Sequence, residues 1–233
     1  MKNISSKSSE GKDSDSYINL PPYKKRLFYP YISRIMDIFI ALMSLIIFSP
    51  ILLITSLLIY LEDKHSPFFI DTRLGKNKKP FSFFKFRSML VNAHELERKN
   101  KEIYKKLRSG EHKVENHPYV TKVGKFIRKY SIDEMPQFIN VLRGDMSVVG
   151  PRALKIDEEK KFREENPDHI KYLDALFEVK PGITGFWQVS GRSNIDFRKR
   201  MRMEAYYART HSILRDIIIL LKTPLAVLKA ETH

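Results

Sequence analysis

The chain has 233 residues, enough for one sizeable core with a small appendage but hardly for two independent domains. With 42 Lys and Arg against 27 Asp and Glu, its formal net charge is +15. Its partners are therefore expected to be anionic: phosphorylated metabolites, nucleic acid or acidic lipid headgroups. The absence of cysteine excludes disulfides, thiolate catalysis and cysteine-type zinc sites, and agrees with a reducing compartment.

Residues 1–22 are polar, without the apolar stretch of a signal peptide, and are read as a disordered tail. Asp13-Ser-Asp15 there is taken as a chance acid pair. Lys24, Lys25 and Arg26 then lead into the most apolar part of the chain, residues 35–61. As a straight helix that run would reach roughly 40 Å, enough to cross a bilayer. Two features argue against a plain crossing. Ser49-Pro50 falls in its middle, where proline breaks or kinks a helix. Both flanks are also basic, with Arg34 before and Lys64, Arg73 and Lys76 after, which favours the cytoplasmic side for both. A re-entrant helix-hairpin over residues 23–64, bent at Ser49 and Pro50, satisfies both constraints better than a kinked span or a buried core helix.

Aromatic runs flank the turn Lys76-Asn-Lys-Lys79 and predict a strand hairpin, with Phe81, Phe83 and Lys85 on one face and Phe84, Phe86 and Ser88 on the other. Residues 91–109 and 155–178 read as charged helices, the second interrupted at Asn166-Pro167, with Asp157, Glu158 and Glu159 as a solvated first turn. His94, His112 and His117 are too scattered to form a metal site. Residues 196–210 predict a very basic helix, and 213–228 an apolar helix too short to span, suited to an interface or a core.

The chemistry concentrates in residues 131–152. Met135, Phe138, Ile139 and Leu142 recur at helical spacing, and Gly144 is a plausible stop. Asp133 and Glu134 precede this helix, and Ser131-x-x-Glu134 matches a capping box. The turns at Gly144-Asp145 and Gly150-Pro151-Arg152 expose backbone and end in a guanidinium, a shape suited to an anionic oxygen. Ionised acids beside such a pocket suggest phosphoryl chemistry, one acid attacking or holding a divalent cation. Arg128 lies close enough in sequence to face the same pocket.

The ordered set Ser49-Pro50, Lys85-Phe-Arg-Ser-Met89, Ser131-Ile-Asp-Glu-Met-Pro-Gln137, Gly144-Asp-Met-Ser-Val-Val-Gly-Pro-Arg152, Pro181-Gly-Ile-Thr-Gly185 and Gln188-Val-Ser-Gly-Arg192 resembles the bacterial sugar transferase family over about residues 30 to 229. These are monotopic polyprenyl-phosphate phosphoglycosyl transferases, and the chain looks like their minimal catalytic form. The resemblance implies transfer of a sugar 1-phosphate from a UDP-sugar to polyprenyl phosphate, with release of UMP and a need for Mg²⁺. It makes Asp133 the nucleophile, Glu134 the acid that helps hold Mg²⁺, and Lys85, Arg87, Arg128, Pro151, Arg152, Gln188 and Arg192 the substrate-binding positions. Asp71, Lys78, Tyr119, Ala153 and Glu204 stand where the family commonly has Gln, Gly, Arg, Pro and Asp.

The expectation is a mainly α protein with small β elements (α+β). A re-entrant membrane hairpin precedes one cytosolic catalytic domain, residues 65–233, carrying interfacial amphipathic helices on the cytoplasmic face of a bacterial inner membrane. Its expected partners are a UDP-sugar, polyprenyl phosphate and the lipid bilayer, without nucleic acid, and self-association is left open. The rival readings are a membrane-tethered nucleic-acid or acidic-lipid binder and a Mg²⁺-dependent phosphohydrolase.

Overall fold

Two apolar helices lead the chain in the computed structural model, which describes residues 19–100, 117–191 and 195–229. They are α1 (Tyr29–Ile47) and α2 (Ser49–Asp63), separated only by Phe48. The break falls where proline dictates. Pro50 has no N–H for the Ile46 carbonyl four residues back, and the Ser49 hydroxyl donates to that carbonyl instead at 2.8 Å. Among the described residues, α1 is the one helix long and apolar enough to cross a membrane.

The hairpin forms as its aromatic alternation predicts. β1 (Phe68–Leu74) and β2 (Pro80–Phe86) pair antiparallel, with Phe69 opposite Lys85 and Arg73 opposite Phe81. Asn77 and Lys78 take the left-handed turn, at φ 57° and 59°. The chain continues through α3 (Ala93–Lys99), α4 (Lys122–Lys129), α5 (Gln137–Arg143) and β3 (Ser147–Val149). Next come β4 (Leu154–Lys155), α6 (Ile156–Glu165), α7 (Ile170–Leu176), β5 (Gly182–Thr184), α8 (Phe186–Ser190), α9 (Phe197–Thr210) and α10 (Ile213–Lys229). The mainly helical reading with small sheets therefore holds: β4 joins β1 in a three-stranded antiparallel sheet, and β3 pairs in parallel with β5.

Four packed clusters hold the body together. Leu154, Phe162, Leu173 and Met201 tie the three-stranded sheet to α6, α7 and α9. Phe83, Val141, Met146 and Val148 form a second cluster that includes Ala41 of α1. Ile59 of α2 packs with Phe86 and Ile127 in a third, and Val149, Tyr207 and Ile219 make the fourth. Both apolar helices thus enter the core of one body. Between those contacts they expose Ile46, Ile47, Leu53, Ile54 and Leu57.

The solvated first turn read at Asp157, Glu158 and Glu159 changes. Glu159 is buried rather than solvated, engaged by Lys78 at 3.3 Å and Arg163 at 2.8 Å. Glu158 turns back to accept from the Lys155 N–H at 3.0 Å, and Arg152, Lys155 and Arg73 hold its carboxyl below the usual range against the opposing effect of burial. The Pro181–Gly185 motif contains β5. Of the helix expected over residues 91–109, α3 covers the N-terminal part, and residues 101–116, with His112, lie outside the described residues.

Candidate active site

The acid pair does not sit in a helical first turn. Ser131 takes a left-handed backbone (φ 55°) with no side-chain cap, so the expected capping box is not formed. Residues Ile132–Glu134 make one 3₁₀ turn, closed by Met135 N–H to Ile132 C=O at 3.1 Å, and α5 begins only after Pro136. Proline explains the displacement: an imide without N–H is tolerated at a helix start and not inside it. A non-glycine residue in the left-handed region costs on the order of 1–3 kcal/mol, and such strain clusters at functional sites.

Two anchors fix this turn. Ile132 packs against the cluster of Ile59, Phe86 and Ile127, so the base of α2 lies beneath it. Asn140, fully buried on α5, pairs with the β2 backbone, accepting from Phe84 N–H at 3.0 Å and donating to Ser82 C=O at 2.6 Å. The helix accordingly buries Gln137, Asn140 and Val141, while Met135, Phe138, Ile139 and Leu142, expected as the buried face, are half-buried. Apolar periodicity misses Asn140 because its partners are the peptide groups of β2, which a hydrocarbon would leave unpaired.

Asp133 is 8% exposed, whereas Glu134 is exposed. Burial and the neighbouring Glu134 charge push the Asp133 carboxyl up to about 7, against the pull of Lys85 and Arg128. Burial in turn lowers Lys85, which Asp133 opposes. Arg128 commits its Nε to the Ser88 hydroxyl at 2.8 Å. The structure therefore brings Asp133, Glu134, Lys85 and Arg128 together as one charge cluster.

The remaining expected positions are distributed. Arg87 is engaged elsewhere, clamping both oxygens of Asp63 and donating to Ser66 C=O at 2.7 Å. This clamp locks the end of α2 to β2. Arg152 is half-buried, and its N–H donates to Glu204 at 3.0 Å. Pro151 contributes a carbonyl to Gly182 N–H at 2.8 Å, and Gln188 donates to Ile183 C=O at 3.4 Å. Arg192 lies outside the described residues.

Sequence reasoning missed Arg73, Arg200 and Glu204. Arg73, 5% exposed, donates to Asp71 and to Ala153 C=O, and acts electrostatically on both Lys85 and Arg152. It thereby links the acid turn to the Arg152 segment. The signal was present, since Arg73 and Lys85 fall on the same face once the hairpin register is drawn. Arg200 stacks on Trp187 at 4.2 Å and approaches the buried Glu204 at 3.6 Å.

Of the two glycine turns expected to expose backbone to an anion, Gly144 takes the left-handed stop after α5 at φ 86°, whereas Gly150 serves close packing with Gly182. A Cβ on Gly150 would lie 2.5 Å from Lys180 O, and one on Gly182 would lie 2.0 Å from Gly150 N. These residues let β3 and β5 touch backbone to backbone.

The family model described as bacterial sugar transferase matches residues 28–230. The chain belongs to the bacterial sugar transferase family. It is 37% identical over 209 residues to the undecaprenyl-phosphate galactose phosphotransferase of Salmonella typhimurium, covering 86% of this chain and 41% of that protein. To the exopolysaccharide production protein ExoY of Rhizobium meliloti it is 37% identical over 198 residues, 83% of this chain and 84% of that one. To the UDP-N-acetylgalactosamine-undecaprenyl-phosphate N-acetylgalactosaminephosphotransferase of Aeromonas hydrophila it is 35% identical over 198 residues, 84% of this chain and 43% of that one. The chain thus spans less than half of the first and third relatives.

Proposed function

We propose that this family member transfers a sugar 1-phosphate from a UDP-sugar to a polyprenyl phosphate at the cytoplasmic membrane surface, for assembly of a surface polysaccharide. The observation that carries the reading is the buried Asp133, beside exposed Glu134 and the cations Lys85 and Arg128. Relatives named for galactose and N-acetylgalactosamine phosphotransfer to undecaprenyl phosphate support the donor and acceptor classes.

In the first step an Asp133 carboxylate oxygen attacks the sugar-linked phosphorus of the donor. An Asp–O–P bond forms as the P–O bond to the bridging oxygen breaks, and UMP departs with that oxygen. In the second step the lipid phosphate oxygen attacks the same phosphorus. The Asp–O–P bond breaks and the carboxylate returns. Dividing the transfer gives each phosphate a prepared partner, and fixed cations offset the charge on the phosphoryl oxygens. Here Lys85 and Arg128 fill that role at Asp133, with half-buried Arg152 and the buried Arg73 adding positive charge behind them.

The donor set fits Mg²⁺. The ion takes hard oxygen ligands and is commonly held by one or two carboxylates together with substrate phosphates. Glu134 would hold it, with Asp133 adjacent, and it would neutralise the diphosphate. Among the described residues no group of three or more His, Asp or Glu offers a fuller cage.

A re-entrant course for α1 and α2 is part of the reading. Arg34 donates to Val141 C=O at 2.6 Å and to Leu142 C=O at 2.8 Å. Past the break, Glu62 accepts from Lys122 N–H at 2.9 Å and Asp63 meets Arg87. A single crossing would part these flanks by the roughly 30 Å of a hydrocarbon core. Held on one body, the exposed apolar stretch between them dips into one leaflet and returns, and acceptor headgroups meet the turn that Ile59 supports. Exposed Leu214, Leu221 and Leu225 give α10 the apolar side of an interfacial helix.

The test is UMP release by full-length protein in nanodiscs, with a panel of UDP-sugars, undecaprenyl phosphate and Mg²⁺. The expected outcome is release that needs acceptor and metal and is abolished in Asp133→Asn. Inertness with every donor would refute the transferase. Free phosphate or sugar phosphate formed without acceptor would favour the phosphohydrolase.

A further inference from the structure

Between α8 and α10 lies a groove of about 340 Å³. That size falls within the roughly 300–1,000 Å³ of small-molecule clefts. Phe186, Val189 and Ile218 line it with hydrocarbon, and Arg215 and Lys222 bring two cations with no carboxylate among the lining residues. The nearest acid in sequence, Asp216, is occupied elsewhere, accepting from the hydroxyls of Tyr29 and Tyr207 at 2.7 Å each.

The two cations differ in how they are held. Arg215 is positioned by the Thr210 hydroxyl and by the Tyr206 ring 5.4 Å away. Lys222 is exposed and has no ion pair or hydrogen bond among the described residues. The apolar lining continues onto the outer side of α10, where Leu214 is 69% exposed and Leu221 73%. A ligand that suits this surface carries an anionic head for Arg215 and Lys222 and a hydrocarbon body that continues along α10. A free phosphate would leave the apolar lining wet.

The geometry points to a binding site for one anionic phospholipid, separate from the transfer site, which seats α10 on acidic membrane. None of the residues that line the groove belongs to the charge cluster around Asp133. The lipid is therefore a resident partner and not the acceptor. Headgroup attraction at a membrane surface is worth about 1 kcal/mol per Lys or Arg, about a fivefold change in retention for each cation removed.

Native mass spectrometry of the detergent-purified full chain, titrated with phosphatidylglycerol or phosphatidylcholine, tests the assignment. The wild type should retain one phosphatidylglycerol in preference to phosphatidylcholine. Lys222→Gln should weaken that retention about fivefold, and the double variant with Arg215→Gln should abolish the preference. Lys222 is exposed and unpartnered among the described residues, so its variant remains readable even if loss of the Arg215–Thr210 contact unfolds the double one. Equal retention of both lipids, or retention unchanged in Lys222→Gln, overturns the proposal. Displacement of phosphatidylglycerol by an equimolar amount of undecaprenyl phosphate also overturns it, by making the groove an acceptor site. Lipid retention is read without turnover, so its failure leaves the transferase reading standing, and inert UDP-sugars would leave the lipid site standing.

Discussion

Asp133, the proposed nucleophile, is a carboxylate held out of solvent, and that burial has a consequence for stability. It is 8% exposed, and burial with the Glu134 charge pushes its pKa up to about 7, above an unfolded value near 4. A group that binds its proton more tightly when folded opposes folding once the solution is alkaline enough to ionise it. Asp133→Asn removes that burden, so in metal-free, substrate-free protein at pH 8 it should raise unfolding stability by about 2–4 kcal/mol. The same variant should release no UMP. A fall in the denaturant midpoint would show that the carboxylate holds the turn together and is not strained by it. Asp133 and Glu134 were legible as residues because two adjacent acids before a short helix are conspicuous. Their environment was only half legible: Arg128, five residues ahead, could be placed beside them, but the burial of Asp133 and the approach of Lys85 from β2 come from the fold. Four of the five departures from the common family residues make side-chain contacts, and the Ala153 contact, through its backbone, leaves the choice of alanine without a structural explanation. Asp71 holds Arg73, Lys78 pairs with Glu159 and Asp174, the Tyr119 hydroxyl donates to Leu96 C=O, Ala153 offers its carbonyl to Arg73, and Glu204 takes the Arg152 amide.

At the level of elements, periodicity found the helices and the hairpin but misjudged what they face. The β1–β2 hairpin was readable because strand alternation assigns a face to each residue without knowledge of the rest of the chain. The buried side of α5 was not, because a helix lying on the backbone of β2 needs an amide there, and Asn140 supplies it. Gly150 was noticed and misassigned for a similar reason: a glycine turn reads alike whether its bare backbone meets a ligand or another strand. The two uses separate under substitution. Gly150→Ala places a methyl 2.5 Å from Lys180 O and 2.7 Å from Gly182 N, both backbone atoms that cannot swing aside. Overpacking of this kind typically costs about 1–3 kcal/mol. Denaturant unfolding should register that loss, accompanied by lower turnover from a displaced Arg152. Unchanged stability with weakened donor binding would instead restore the anion-cradle reading. The junction of α9 and α10 carries a pH signature of its own. His211 is buried against the Tyr29 ring, and burial lowers its pKa to about 4, below an unfolded value near 6.5. The unfolded chain then binds the proton more readily, so stability is complete above pH 6.5 and declines as the pH falls toward 4. Up to about 3 kcal/mol should be lost across that window. His211→Gln should flatten this part of the stability profile, as thermal unfolding between pH 4 and 7 would show.

For the molecule as a whole, the arrangement of α1 and α2 decides where the chemistry can happen. Ala41 and Ile59, one from each apolar helix, are buried in clusters of the same body, and polar contacts at Arg34 and at Glu62 and Asp63 secure the two flanks. The sequence showed why the segment should bend, through Pro50 and the basic flanks. It could not show what the flanks grip, since Val141, Leu142 and Lys122 lie 60 or more positions downstream. If those contacts persist in lipid, neither end of the chain reaches the far side of the bilayer. Cysteines placed singly in this cysteine-free chain at residue 24 and residue 222 should both resist a membrane-impermeant maleimide in intact cells and react after lysis. Labelling of the residue 222 site from outside would mean that α1 and α2 cross once. It would also separate the Asp133 turn from cytoplasmic nucleotide, and no geometry within the body could then rescue the proposed reaction. Protection at both sites, together with loss of membrane retention when Leu53, Ile54 and Leu57 are changed to Ser, is the pattern that a dipping anchor demands.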